Sequence, residues 1–167
     1  MNIDKVNKIK EIVRRYKSVA ETNDIREVID ICNIKIQEVY NLEEMNYFKG
    51  MYYKSKSKQT IVLNKALPEK EQEIVLAHEF AHSKLHRNID ISYLLNDTFF
   101  ICDPFELEAN TLAAEFLIED DTIINLLIED PTSTYKSMSQ TLGLPEELIE
   151  LKYEYLDKDK LKNIHEF

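Results

Sequence analysis

Turn-forming and helix-breaking residues are scarce in this 167-residue chain, which has two glycines and four prolines. That scarcity argues against a turn-rich β fold and favours long helices. Tryptophan is absent, and the two cysteines, Cys32 and Cys102, lie far apart in sequence and make no disulfide framework. Reduced thiols suit a cytoplasmic location. No run approaches the roughly 18 apolar residues of a membrane span. The N-terminus, MNIDKVNKIKEIVRRYK, lacks the apolar region of a signal peptide. Positive charge is also short: 21 Lys and Arg against 31 Asp and Glu leave a net charge of −10, which disfavours a surface that tracks phosphates. The basic stretches KVNKIKEIVRRYK and YYKSKSK read as solvated faces. The expectation is a soluble cytoplasmic protein that contacts neither membrane nor nucleic acid.

What is present is ordinary globular material, 44% hydrophobic and 31% charged, long enough to enclose a core. Val6, Ile9, Ile12, Val13 and Tyr16 recur at helical spacing, predicting an amphipathic helix over residues 4–19. Asp24 is the expected N-cap of a second helix, IREVIDIC. NIKIQEVYNL, YFKGMYYKSKSK and QTIVLN, with a break at Gly50, read as a small antiparallel sheet of about three strands. Pro68 opens a helix with acids in its first turn and bases near its end, running to about residue 86. NIDISYLLNDTFFIC reads as apolar loop. Further helices are expected from 103 to 118, 121 to 129, 134 to 141 and 146 to 157. The fold class is α+β, mainly helical.

Three of the four histidines fall within LAHEFAHSKLH, residues 76–86. On a helix, residues four apart lie one above the other, so His78 and His82 can converge on one ion. Glu79 sits about 100° further round, beside such an ion, where a base for water belongs. Ile74, Val75, Leu76, Ala77, Phe80 and Ala81 make this a helix for burial, and buried imidazoles need partners. Chance placement of two core histidines is the plain alternative. His86 lies about 12 Å along the axis from His78, too far to share its ion; it reads as end-of-helix charge. The segment DPFELEANTLAAEFL offers a third ligand. Glu108 shares the polar face with Thr111, Glu115 and Glu119, whereas Glu106 shares a face with Ala109, Asn110 and Ala113. Glu106 is the preferred ligand and Glu108 the reserve. Asp103-Pro104-Phe105-Glu106 also has the form of a capping box, which would give Glu106 a structural role. Asn110 can accept a hydrogen bond from a ligand imidazole and fix its tautomer. Three protein ligands leave a fourth position for water, as in catalytic zinc sites.

IVLN…EIVLAHEFAHSKLH followed by FELEANTLAAEFLI resembles the ImmA/IrrE family of bacterial metallo-endopeptidases, over roughly residues 20–125. The resemblance implies a gluzincin-type site with one zinc ion per chain on His78, His82 and Glu106, and Glu79 as catalytic base. The expected organisation is a zincin-like domain over residues 1–130, with a helical appendage over 131–167 packed on it. The resemblance also implies a protein substrate, a helix-turn-helix transcriptional repressor of a phage-like or conjugative element. Phe80 and Leu112 depart mildly from the family pattern. An oxyanion donor is needed, with His86 and Tyr93 as candidates, and the substrate is expected to add as a strand along residues 59–64. The helix–Gly143–helix pattern of residues 135–156 evokes a DNA reader, but Glu146, Glu147, Glu150 and Glu154 would repel phosphates. It reads instead as a packing or repressor-docking element. The competing function is a non-proteolytic regulator that grips a repressor without cutting it.

Overall fold

The computed structural model describes residues 1–40, 48–86 and 104–157. The segment read as apolar loop, Tyr93 and the capping Asp103 lie outside the described residues. Helix α1 (Ile3–Ala20) buries Val6, Ile9 and Val13, and the Asn2 side chain caps it by accepting the Lys5 N–H at 2.9 Å. Helix α2 (Ile25–Ile31) starts at Asp24, which accepts the Arg26 N–H at 2.7 Å, the cap expected from the sequence.

Strands β1 (Ile34–Val39), β2 (Gly50–Ser55) and β3 (Lys58–Asn64) form one sheet in the order β1-β3-β2. The strand count is as expected, but the sheet is mixed rather than antiparallel. β2 and β3 form an antiparallel hairpin, while β1 runs parallel to β3, pairing Ile34 with Gln59 and Val39 with Asn64. Alternating apolar residues mark a strand without fixing its direction, so the pattern could not reveal this. β3 is therefore central, bonded on both sides, and residues 59–64 cannot receive a substrate strand. Gly50 opens β2 rather than breaking it. A Cβ there would sit 2.3 Å from Cγ1 of Val75, so glycine is what lets β2 lie this close to the next helix.

That helix, α3 (Glu69–Leu85), follows Pro68, whose fixed φ suits the helix entry. Buried Gln72 fastens it, donating to the Leu67 carbonyl at 2.8 Å and accepting from Arg26 at 2.8 Å. Helix α4 (Pro104–Leu117) packs along α3. Ala77 and Ala81 of α3 and Ala109 and Ala113 of α4 are all buried, and such small side chains permit close helix approach. Phe80 fills the space beside them, meeting the rings of Tyr16 and Phe116 edge-on at 5.4 and 6.2 Å. This main core joins α1, α2, the sheet, α3 and α4.

A second apolar cluster forms where the far end of α4 meets helices α5 (Asp120–Glu129), α6 (Tyr135–Leu142) and α7 (Glu146–Glu154). Thr134 and Ser137 cap α6 reciprocally, and Gly143, at φ 63°, ends it in the left-handed conformation that glycine adopts most readily. Lys152 of α7 is buried here, 2.7 Å from Glu115 and 2.6 Å from Asp120. Among the described residues, no helix is long and apolar enough to cross a membrane.

The basic N-terminal stretch is not simply a solvated face. Lys5, Lys10 and Lys17 of α1 pair with Glu108, Glu115 and Glu119. The face of α4 that reads as polar is correspondingly buried: Glu108, Thr111 and Glu115 are each under a tenth exposed.

Candidate metal centre

The histidine helix and the glutamate helix meet at their polar residues. His78 and His82 project from α3 one turn apart, with their Nε2 atoms 3.0 Å from each other. Glu106, in the first turn of α4, places Oε2 3.2 Å from His78 Nε2 and Oε1 3.4 Å from His82 Nε2. Its carboxylate thus faces the two imidazoles. Two bonds of 2.0–2.1 Å at a tetrahedral ion hold their donor atoms about 3.3 Å apart. The three side chains therefore have the spacing of ligands to one small ion. They are the group among the described residues whose donor atoms converge this way.

Each imidazole is anchored through its other nitrogen. His78 Nδ1–H donates to Asn110 Oδ1 at 2.8 Å, the contact expected of Asn110. His82 Nδ1 lies 2.9 Å from His86 Nδ1, and His86 Nε2 lies 3.4 Å from Glu108 Oε2. His86 is thus not the end-of-helix charge expected from the sequence. It is buried, stacks edge-on against Phe105 at 5.0 Å, and uses both ring nitrogens within the protein. Nor does it face outward as an oxyanion donor would. Glu108 is turned away from the centre, toward His86 and Lys5. Periodicity misplaced Glu108 because its partners, His86 and Lys5, come from other parts of the chain.

The electrostatics fit a cation. The imidazoles of His78 and then His82 hold Glu106 far below the usual carboxylate range. Burial alone would lower His78. The hydrogen bond with Glu106 and the charges of Glu79 and Glu106 outweigh it and raise His78 above the ordinary imidazole value. Burial, then the neighbouring His82, pushes His86 below its ordinary value, which favours the neutral ring.

Glu79 stands beside this triangle on the same helix. Its Oε2 accepts the backbone N–H of Tyr52 at 2.7 Å. Tyr52 lies on β2, an edge strand of the sheet, and Gly50 lets that strand approach. The bond fixes one carboxylate oxygen and leaves Oε1 available to take a proton. Nothing in the sequence signals the Tyr52 contact, because a backbone donor has no side-chain signature.

The chain is similar to known proteins over most of its length. A family model described as the IrrE N-terminal-like domain, of the M78 peptidases, matches residues 37–154. A protein of Bacillus phage phi105 named "Uncharacterized immunity region protein 2" is 30% identical over 162 residues, 93% of this chain and 90% of its own length. Metallopeptidase ImmA of Bacillus subtilis strain 168 is 26% identical over 112 residues, 66% of this chain and 65% of its own.

Proposed function

This chain belongs to the IrrE N-terminal-like family of metallopeptidases, and from that premise we propose that it is a zinc-dependent endopeptidase acting on a specific protein. The observation that carries the reading is the triangle of His78, His82 and Glu106, with donor atoms 3.0–3.4 Å apart and a carboxylate beside it. The two imidazoles and Glu106 would hold one zinc ion. When bound, the ion would act as a Lewis acid toward a peptide carbonyl and toward water. Glu79 is the base: Oε1 takes the proton from the attacking water and returns it to the leaving amine. Tyr52 N–H holds the carboxylate in place for both transfers.

The substrate chain would lie extended along β2, whose outer edge borders Glu79, as an added strand. The substrate we propose is a helix-turn-helix repressor of a phage-like or mobile element. The phage phi105 relative, named for an immunity region, fits that setting. Direct nucleic-acid contact is disfavoured by the net charge of −10 and by the exposed Glu146, Glu147, Glu150 and Glu154 of α7.

The test compares wild type with Glu79→Gln, each mixed with the repressor encoded beside it in zinc-containing buffer. Loss of one general base lowers turnover by about 10² to 10⁴, so Glu79→Gln should bind zinc and leave the repressor uncut. Equal inactivation of the repressor by both proteins, with no cleavage products, would establish the non-proteolytic regulator instead.

A further inference from the structure

We propose that His86 and Glu108 are positioning residues: through a directed pair of hydrogen bonds they hold His82 in the tautomer that turns a bare Nε2 toward the metal centre. This inference rests on the metal reading above and extends it to residues outside the ligand set.

Glu108, paired with the Lys5 ammonium, is a carboxylate and can only accept. His86 Nε2, 3.4 Å from Glu108 Oε2, must therefore carry the hydrogen of that long bond. With one proton on His86, its Nδ1 has only a lone pair. His82 Nδ1, 2.9 Å away, must then be the donor. A neutral His82 with its proton on Nδ1 has no proton on Nε2, the atom that sits 3.0 Å from His78 Nε2 and 3.4 Å from Glu106. The direction of every bond in this chain is set by its outermost member. Asn110, which anchors His78, lacks that property, since an amide can present either its oxygen or its nitrogen.

Burial supports a positioning role. His86 and Glu108 are each 6% exposed, out of reach of a substrate. The relay also spans three helices: His82 and His86 on α3, Glu108 on α4 and Lys5 on α1. Helix α1 thereby contacts the centre's supporting shell without contributing a ligand.

The experiment uses the full chain, stripped with chelator and titrated with zinc against a competing fluorescent chelator, and separately with cobalt(II) followed by its visible absorption. His86→Phe fills the same space without an acceptor and should weaken zinc binding about 10- to 100-fold, the usual effect of losing such a partner. It should also change the cobalt band. His86→Asn puts an amide oxygen near the place of Nδ1 and should stay within about threefold of wild type. Glu108→Gln keeps the shape but lets the outer group donate or accept, and should fall between them. Zinc affinity and cobalt spectrum unchanged in His86→Phe would overturn the proposal, as would His86→Asn binding as poorly as His86→Phe. If His86→Phe does not fold, judged by its metal-free circular dichroism, the other two variants decide; wild-type affinity in Glu108→Gln would overturn the proposal. A wild-type protein that takes up neither ion would instead overturn the metal reading itself, and this inference with it.

Discussion

The two ends of α4 handle charge in opposite ways. At its C-terminal end, Glu115 meets Lys152 at 2.7 Å, with the Lys10 ammonium 3.6 Å from its other oxygen, and Asp120 bonds the same Lys152 at 2.6 Å. Two carboxylates are matched there by two ammonium groups from the chain. At its N-terminal end, Glu106 meets only imidazoles among the described residues, and Glu79 is held by a backbone N–H. Both carboxylates at that end face a cluster that supplies no fixed positive charge. One end is matched in charge as folded, although Glu115 Oε1 has no hydrogen-bond partner there; the other has the donor spacing of a site for a divalent ion. A carboxylate cluster is thus not in itself a mark of function, and the presence or absence of a matching charge from the chain separates the two cases.

The largest effect should come from breaking the matched end. Lys152→Met removes the ammonium and leaves Glu115 and Asp120 facing each other within the second apolar cluster. Breaking one partner of a buried ion pair destabilises by about 3 to 5 kcal/mol. Urea unfolding of the metal-free protein should show that loss. A change below about 1 kcal/mol, the range of exposed pairs, would mean that solvent reaches this end and that the contrast is overstated.

Next comes the unmatched end. Glu106→Gln removes one of three ligands and the only charged one, so zinc affinity should fall by at least a hundredfold, about 2.7 kcal/mol. The sharper readout is thermal. At a zinc concentration 100 times the dissociation constant, wild type should gain about 2.7 kcal/mol of stability, and Glu106→Gln almost none at that same concentration. In chelator the two proteins should melt far more alike than wild type and Lys152→Met. Equal stabilisation of both by zinc would place the ion elsewhere.

The sequence made some of this contrast legible. Histidines four apart on an apolar helix could be read as convergent, and the phase of α4 separated Glu106 from Glu108 before any coordinates. Asn110, one turn beyond Glu106, is legible as the partner of an imidazole. The ten described helices and strands fall close to their expected positions because amphipathic spacing, Asp24, Pro68 and Gly143 all mark local structure. What was hidden was non-local. The face of α4 bearing Glu108, Thr111 and Glu115 looked solvent-facing because polarity is ordinarily a sign of exposure. Its lysine partners, Lys5, Lys10 and Lys152, are 103, 105 and 37 residues away. The parallel pairing of β1 was equally silent, and so was the use of Gly50 for close approach rather than for a turn.

The smallest expected effect tests whether the two ends are independent. Glu106 and Glu115 are nine residues apart on one helix, about 13 Å along its axis, a separation at which mutational effects ordinarily add within about 0.5 kcal/mol. Helix α1 gives a reason to doubt simple addition, because Lys5 binds Glu108 near one end and Lys10 faces Glu115 near the other. A rigid α1 could carry strain from the second cluster to the carboxylate that supports His86. The comparison drawn above requires that it does not: Lys152→Met should change zinc affinity by less than about twofold, and the double variant's loss of stability in chelator should equal the sum of the single losses within about 0.5 kcal/mol. A coupling above about 1 kcal/mol would make α4 and α1 one mechanical unit. The structural ion cluster would then belong to the description of the metal centre rather than stand as its counterexample.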